Sequence, residues 1–190
     1  MRRSRPNAGD EGSQIVEFAV ALPLLVVLVV GIFDFSSAFN LKQKIHNGAL
    51  LAARIGASQP TRDLSTTGNC NAPESICAIR DAVANSLTAA KVNACGLDTA
   101  AATPGANLTW TFTANSGCPG TVTLTVERGY TYTATLSPPF QTNYTIEATR
   151  ATLSYPYRWQ FSGVIRLVAS NATYPGSSQI QSVAVVQNGN

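Results

Sequence analysis

The sequence predicts an α+β protein: a long N-terminal transmembrane and stalk helix, then a small extracytoplasmic domain of one helix and an antiparallel β-sheet. Three observations carry this. Ile15 to Phe35 is apolar apart from Glu17 and Asp34, close to the ~20 residues that cross a hydrocarbon core. After Pro73, Ile76, Ile79, Val83, Leu87 and Ala90 recur at helical spacing. From Asn107 onward the period drops to two, with Leu108, Trp110 and Phe112 alternating with threonines. The predicted organisation is a basic leader over 1–12, a helix over 13–58 and a head domain over 59–190.

Arg2, Arg3 and Arg5 precede the apolar run. Positive charge there keeps this end cytoplasmic and sends the following domain outward. A cleaved secretory signal also begins this way, but the helical pattern continues through Gly31-Ile32-Phe33-Asp34 where a cleavage site would be needed. Glu17 has two readings. A carboxylate near the end of a spanning helix can snorkel to the interface at little cost. The sharper reading counts from Gly12: a cut there makes Ser13 the new N-terminus and Glu17 its fifth residue. A basic leader, Gly, four mostly neutral residues, Glu and an apolar helix form the processing signature of type IV pilin-like precursors. A carboxylate and a free α-amino group are each costly in lipid and neutralise one another when paired. Glu17 of one subunit would then meet the N-terminus of a neighbour and set axial register.

Pro23 lacks a backbone donor, so a kink or local loosening is expected there. Gly31 has two equal readings, room for a partner helix or no role at all. Ala38, Leu41, Ile45, Ala49 and Ala52 then form an amphipathic stripe. Gly48, Ala52 and Gly56 make one small-residue row, and Ala49, Ala53 and Ala57 another. Such rows let backbones approach closely, against neighbouring helices, against the chain's own head, or against both at once on different faces. The helix is expected to end near Ser58, before Pro60, with a length of roughly 65–70 Å from Ser13 at ~1.5 Å per residue.

Residues 59–73 read as a loop. The second helix opens at Pro73-Glu74, with Asn71 or Ala72 near its cap, and Gly96 is its expected stop. Further strands are expected at Val122–Val126, Tyr130–Leu136, Tyr144–Tyr155 (one or two strands) and Ile180–Val186. Reversals are expected at Ser116–Gly120 and Arg128-Gly129 and a break at Ser137-Pro138-Pro139. Trp159–Ala169 reads as either a short helix or a strand.

Cys70, Cys77, Cys95 and Cys118 all follow the apolar block. An even count beyond a membrane segment suits two disulfides. Three connectivities are open, and sequence order favours Cys70–Cys77 with Cys95–Cys118. Zinc needs paired ligands at short spacing, which this sequence lacks. No metal or other cofactor is expected.

The stretch Val16-Glu17-Phe18-Ala19, then Leu22-Pro23-Leu24-Leu25, Gly31-Ile32 and Asp34-Phe35, resembles the TadE-like family of minor pseudopilins in the tight-adherence (Flp-type, type IVc) pilus system. Asp34 stands where the family commonly has glutamate. Ala49, Ala53, Arg54 and Ala57 are similar to the family's next helical stretch, with Leu50, Leu51 and Ala52 in place of its Arg, Glu and Gly. The resemblance covers about residues 12–57. It implies processing at Gly12–Ser13 by a prepilin peptidase, a register role for Glu17 and Phe18, and helix packing through Pro23, Gly31, Gly48, Ala52 and Gly56. It also implies inner-membrane residence with the C-terminal domain outside, or a place in the pilus at the cell surface. The implied partners are other pilins or pseudopilins and the Tad assembly platform.

A net charge of +3, with scattered arginines after residue 60, gives no phosphate-tracking stripe, so no nucleic acid is expected. There is no G-x-S-x-G and no Gly-rich phosphate loop. No small-molecule substrate is expected. His46, the only histidine, is read as a solvated stalk residue, which removes a Ser-His site from the head. The rival reading is a membrane-tethered binding or enzymatic domain, with Asp81, Asp98, Glu127 or Glu147 as acid–base groups.

Overall fold

A computed structural model describes residues 8–135, 143–161 and 177–189, with residues 8–13 by backbone alone. Arg2, Arg3, Arg5, the Ser137-Pro138-Pro139 break and most of the Trp159–Ala169 stretch lie outside these residues. The described residues fall into two compact units: 8–38 with 159–161, and 39–135 with 143–158 and 177–189.

Helix α1 runs from Ala8 to Ser58 and passes through both units. It begins upstream of Gly12-Ser13, and Pro23 lies within it without ending it. Ser58 closes it, its hydroxyl donating to the Ile55 carbonyl at 3.0 Å.

In the second unit, α1 from Ile45 onward and helix α2 (Glu74–Ala89) form one layer, and a five-stranded sheet forms the other. The strands are β1 (Ala102–Gly105), β2 (Thr109–Ala114), β3 (Val122–Thr135), β4 (Asn143–Arg158) and β5 (Ser177–Gln187). They form an antiparallel meander in sequence order. Alternation sorts their side chains. On one face Trp110, Val126, Ala151 and Ala184 lie side by side, as do Phe112, Leu124 and Leu153, and all are buried. On the other face Thr111, Thr125, Thr152 and Val183 are opposite one another. The inner rows meet Ile45, Ala49, Ala52 and Ala53 of α1 and Ile76, Ile79, Val83 and Leu87 of α2. Each fully buried Leu, Ile or Phe contributes about 1.5–3 kcal/mol.

Several boundaries differ from the sequence reading. α2 stops at Ala89 rather than near Gly96. Lys91 adopts a left-handed backbone (φ 57°), while the Lys91 N–H reaches the Thr88 carbonyl at 2.9 Å and Val92 that of Leu87 at 2.8 Å. This is a Schellman stop without glycine, held because Val92 and Leu87 both enter the core. Pro73 itself occupies the N-cap and gives no side-chain cap. Asp63 supplies it from the preceding loop, accepting the Ser75 N–H at 2.8 Å. Arg128-Gly129 is no reversal: β3 continues through it with a register shift between Glu127 and Tyr130. A Cβ on Gly129 would sit 2.6 Å from the Asn107 carbonyl oxygen, so glycine here admits a neighbouring backbone to a bulge. Tyr144–Tyr155 falls within one strand, and β1 had no alternation long enough to announce it.

The pairings Cys70–Cys77 and Cys95–Cys118 form, with Cα separations of 5.8 and 5.6 Å, inside the usual disulfide span. The first staples the loop to α2. The second lies beside Tyr155, whose hydroxyl donates to the Asn93 carbonyl at 2.9 Å.

The two buried helix glycines differ in what surrounds them. A Cβ on Gly48 would meet Leu153 at 3.2 Å, whereas one on Gly56 would meet the Thr149 methyl at 2.6 Å. Glycine-to-alanine gains about 1 kcal/mol of helix propensity, against about 1–3 kcal/mol for overpacking. Gly48→Ala is therefore expected to leave stability and the thermal midpoint nearly unchanged, and Gly56→Ala to lower stability by on the order of 1 kcal/mol, with a correspondingly lower midpoint. Thermal unfolding followed by circular dichroism in detergent would check this, and equal midpoints for the two variants would refute it.

Candidate functional site

The first unit presents α1 as an apolar rod. Large side chains from Ile15 to Phe35, among them Phe18, Leu24, Leu28 and Phe33, are exposed. This is the one helix among the described residues long and apolar enough to cross a membrane. A continuous apolar face of this kind marks a membrane or protein contact rather than a water-facing surface. Val16, Glu17, Val20, Ala21, Leu24, Leu25 and Leu28 line one concave stretch of it. Glu17 is therefore a carboxylate set among apolar side chains. Phe18 is exposed beside it, Pro23 lies on the same exposed span, and Gly31 has nothing within 4 Å of where a Cβ would be. Gly12 and Ser13 lie on helical backbone one turn before Glu17.

Asp34 does more than mark the outer boundary of the run. It is only 2% exposed. Its Oδ1 accepts the Gln160 N–H and its Oδ2 the Phe161 N–H, each at 3.2 Å. The rings of Phe35 and Trp159 meet edge to face at 5.6 Å. Two successive N–H groups at a turn make a concavity suited to an anion, and a charged acceptor strengthens each bond. The carboxylate is thus paired through backbone donors far away in sequence. The described part of Trp159–Ala169 is neither helix nor strand: Trp159 follows β4, and Gln160 and Phe161 form a turn.

The small-residue rows belong to the second unit. Gly48, Ala52 and Gly56 are buried, as are Ala49, Ala53 and Ala57, and the side chains nearest Gly48 and Gly56 are those of Leu153, Val83, Thr149 and Ile79. Both rows therefore serve the chain's own sheet and α2. Leu50 packs at the edge of the same core.

His46 is not an isolated stalk residue. It belongs to the second unit, and its Nδ1 lies 3.0 Å from Ser182 Oγ on β5. The neighbouring Lys42 ammonium donates to the Gln181 carbonyl. His46 is exposed, as a solvated residue would be, and its contact with Ser182 ties α1 to β5. Of the candidate acid–base groups, Glu127 is held by Arg150 in a two-pronged ion pair with contacts of 2.6–3.0 Å. Asp81 lies 2.7 Å from Arg80. Hydrogen bonding to Glu127 raises the Arg150 guanidinium further above its usual value. Among the described residues no group of three or more His, Cys, Asp or Glu side chains is placed to hold a metal ion.

The apolar face, the buried aspartate and the first part of the small-residue seam lie within one segment of helix that resembles a known family. The TadE-like protein family matches residues 12–54. This N-terminal segment is TadE-like. The comparison with curated proteins returned no match, and neither did that with solved structures. The TadE-like segment ends inside the seam, so it takes in the whole exposed face, Asp34 and Gly48 but stops before Gly56. With its disulfide-bonded domain beyond the apolar helix, the chain has the make-up of a membrane-anchored extracytoplasmic protein.

Sequence reasoning missed one internal electrostatic centre. Arg128, on the bulge of β3, is 4% exposed and donates to the Gln59 carbonyl at 2.9 Å. Burial lowers its guanidinium pKa, and Asp63 opposes that. For Asp63, burial pushes the carboxyl upward, but the hydrogen bond from Ser75 and the positive Arg128 outweigh it. The net value lies below the ordinary one. A depressed folded value contributes stability above the unfolded carboxyl pKa of about 3.9, and that stability is lost as pH falls through the folded value. Asp63→Ala is expected to cost about 1 kcal/mol at neutral pH through the lost cap. The gap to the parent protein is expected to narrow as pH falls from about 4 to about 2. Denaturant titrations at several pH values would measure it, and a gap independent of pH would rule out the charged cap.

Proposed function

We infer that this chain is a minor pseudopilin: a structural subunit that sits in the inner membrane, is processed after Gly12 and takes part in assembly of a Tad-type pilus. The observation that carries the reading is the coincidence of three features in one segment. The TadE-like match covers residues 12–54, the apolar side chains there are exposed, and the carboxylate of Glu17 follows Gly12 at the fifth position.

The mechanism follows from solvation. After cleavage, Ser13 carries an α-amino group about one helical turn from Glu17. The helix remains attached to its domain because the cut precedes the apolar run. In hydrocarbon a lone carboxylate costs about 2.5–3.5 kcal/mol, so Glu17 favours the one position along a bundle where a neighbour's α-amino group neutralises it. Apolar contact supplies the association, and the charge pair supplies its register. With both small-residue rows buried in the domain, the contacts to neighbouring helices fall to the exposed Ile15–Phe35 face and to Phe18 beside the charge. Other pseudopilins, the Tad assembly platform and a prepilin peptidase are the partners this role requires. The role is structural.

Incubating the membrane-inserted protein with a cognate prepilin peptidase is expected to remove residues 1–12 and leave Ser13 as the N-terminus, read by intact mass. A mature protein that retains Met1 would overturn the processing step. Glu17→Ala is expected to insert normally yet fall roughly a hundredfold in pilus incorporation, the factor that ~3 kcal/mol represents. Unchanged incorporation, measured by immunoblot of sheared pili, would remove the register role.

A further inference from the structure

The turn at Trp159–Phe161 has a location that the pseudopilin role does not explain. It belongs to the same compact unit as the exposed apolar span of α1, and Asp34 grips it through two consecutive backbone N–H groups. Glu17 and Asp34 are seventeen positions apart in one helix, roughly 25 Å at ~1.5 Å per residue. That is close to the ~30 Å of a hydrocarbon core. With Glu17 at the cytoplasmic side, Asp34 falls at the opposite interface, and so does the turn it holds.

The side chains at this level suit that depth. Phe35 is 67% exposed and Phe161 37% exposed, while Trp159 is half-buried with its ring edge to face against Phe35. Aromatic rings with a wet side and an apolar side concentrate at the headgroup level of bilayers. Buried as it is at 2% exposure, Asp34 cannot reach water and would be costly without partners. Covered by the turn, it is removed from lipid and its charge is spent on backbone donors that would otherwise need water.

We propose that the Trp159–Phe161 turn is a second membrane contact, docked on α1 by Asp34 and seating Trp159 and Phe161, beside Phe35, in the outer interfacial layer of the bilayer. Its partner is a lipid surface. The protein thereby meets the membrane at two stretches distant in sequence, and Asp34 is the positioning residue that joins them. The proposal rests on the reading of α1 as a membrane-spanning helix.

Tryptophan emission tests it in the full chain, reconstituted in phosphatidylcholine liposomes at low protein-to-lipid ratio. Trp110 is buried in the core of the second unit, so the difference between the parent protein and Trp159→Phe isolates Trp159. Lipids brominated near the glycerol backbone are expected to remove roughly half of that emission. Lipids brominated near the chain ends are expected to remove much less, and aqueous iodide little. In Asp34→Ala the lipid quenching is expected to fall and iodide quenching to rise, while the protein still resists alkaline extraction from the membrane. Strong iodide quenching of Trp159 in the inserted parent protein would overturn the proposal. So would shielding from both iodide and bromolipids, which would mean cover by a second copy of the chain. If the parent protein is itself extracted by alkali, the spanning reading of α1 fails instead. The parent-against-Trp159→Phe difference decides the matter even where Asp34→Ala does not fold.

Discussion

A single unbroken helix that must satisfy two solvents sets the terms for the rest of this protein. From Ile15 to Phe35 its large side chains point outward and demand an apolar surrounding. From Ile45 to Ala57 it is buried against a sheet and a second helix. Hydrogen bonds along a helix are satisfied internally, so the backbone is indifferent to the change. The side chains are not, and they switch from large and apolar to small. Bulk suits a span that faces an apolar surrounding, but it is costly where a rigid sheet must come close. Gly56 shows the limit, since even one methyl would press on Thr149.

The remaining elements of the head answer that close approach. With small residues on α1, most of the core volume comes from the other partners: Phe112, Leu124 and Leu153 from the sheet, and Ile76, Ile79 and Leu87 from α2. α2 is only sixteen residues long and lacks a cap of its own, so its position depends on what the loop before it contributes. The Cys70–Cys77 bridge and the Asp63 carboxylate both act there, one covalently and one by charge. Arg128 then links that loop to the bulge in β3 through the Gln59 carbonyl. His46 and Lys42 play the corresponding part at β5, where polar helix side chains bond the Ser182 hydroxyl and the Gln181 carbonyl of the strand at the edge of the sheet.

Asp34 and Arg128 are buried and bond to backbone groups far away in sequence, and the half-buried Asp63 bonds to a backbone N–H of the helix that follows its loop. Such bonds cost little conformational freedom in the partner, because the backbone is already fixed. They also discriminate between alternative dockings, since an unmatched carboxylate or guanidinium would be left desolvated. The half-buried Arg150 and Glu127 instead pair side chain to side chain on the face away from the helices, with Tyr130 stacked under the guanidinium at 4.5 Å.

Local patterning by itself determined a good deal here. The apolar run, the helix end before Pro60, the alternating strands and the pairing of nearby cysteines all follow from properties that neighbouring residues share, and the sequence carries them openly. The Gly12-to-Glu17 spacing and the TadE-like resemblance are of the same local kind. What only the tertiary structure decided depends on residues far apart in the chain. The small-residue rows could have faced neighbours, the head or both, and in the fold Gly48 lies against Leu153 and Gly56 against Thr149. Lys91 ends α2 because Val92 has a core to enter, and Gly129 makes a bulge because Asn107 lies against it. His46 reaches Ser182 across 136 positions, and Asp34 finds its donors 126 and 127 positions away. No periodicity encodes such contacts, because a hydrogen bond or a steric limit between distant residues exists only once the chain has folded.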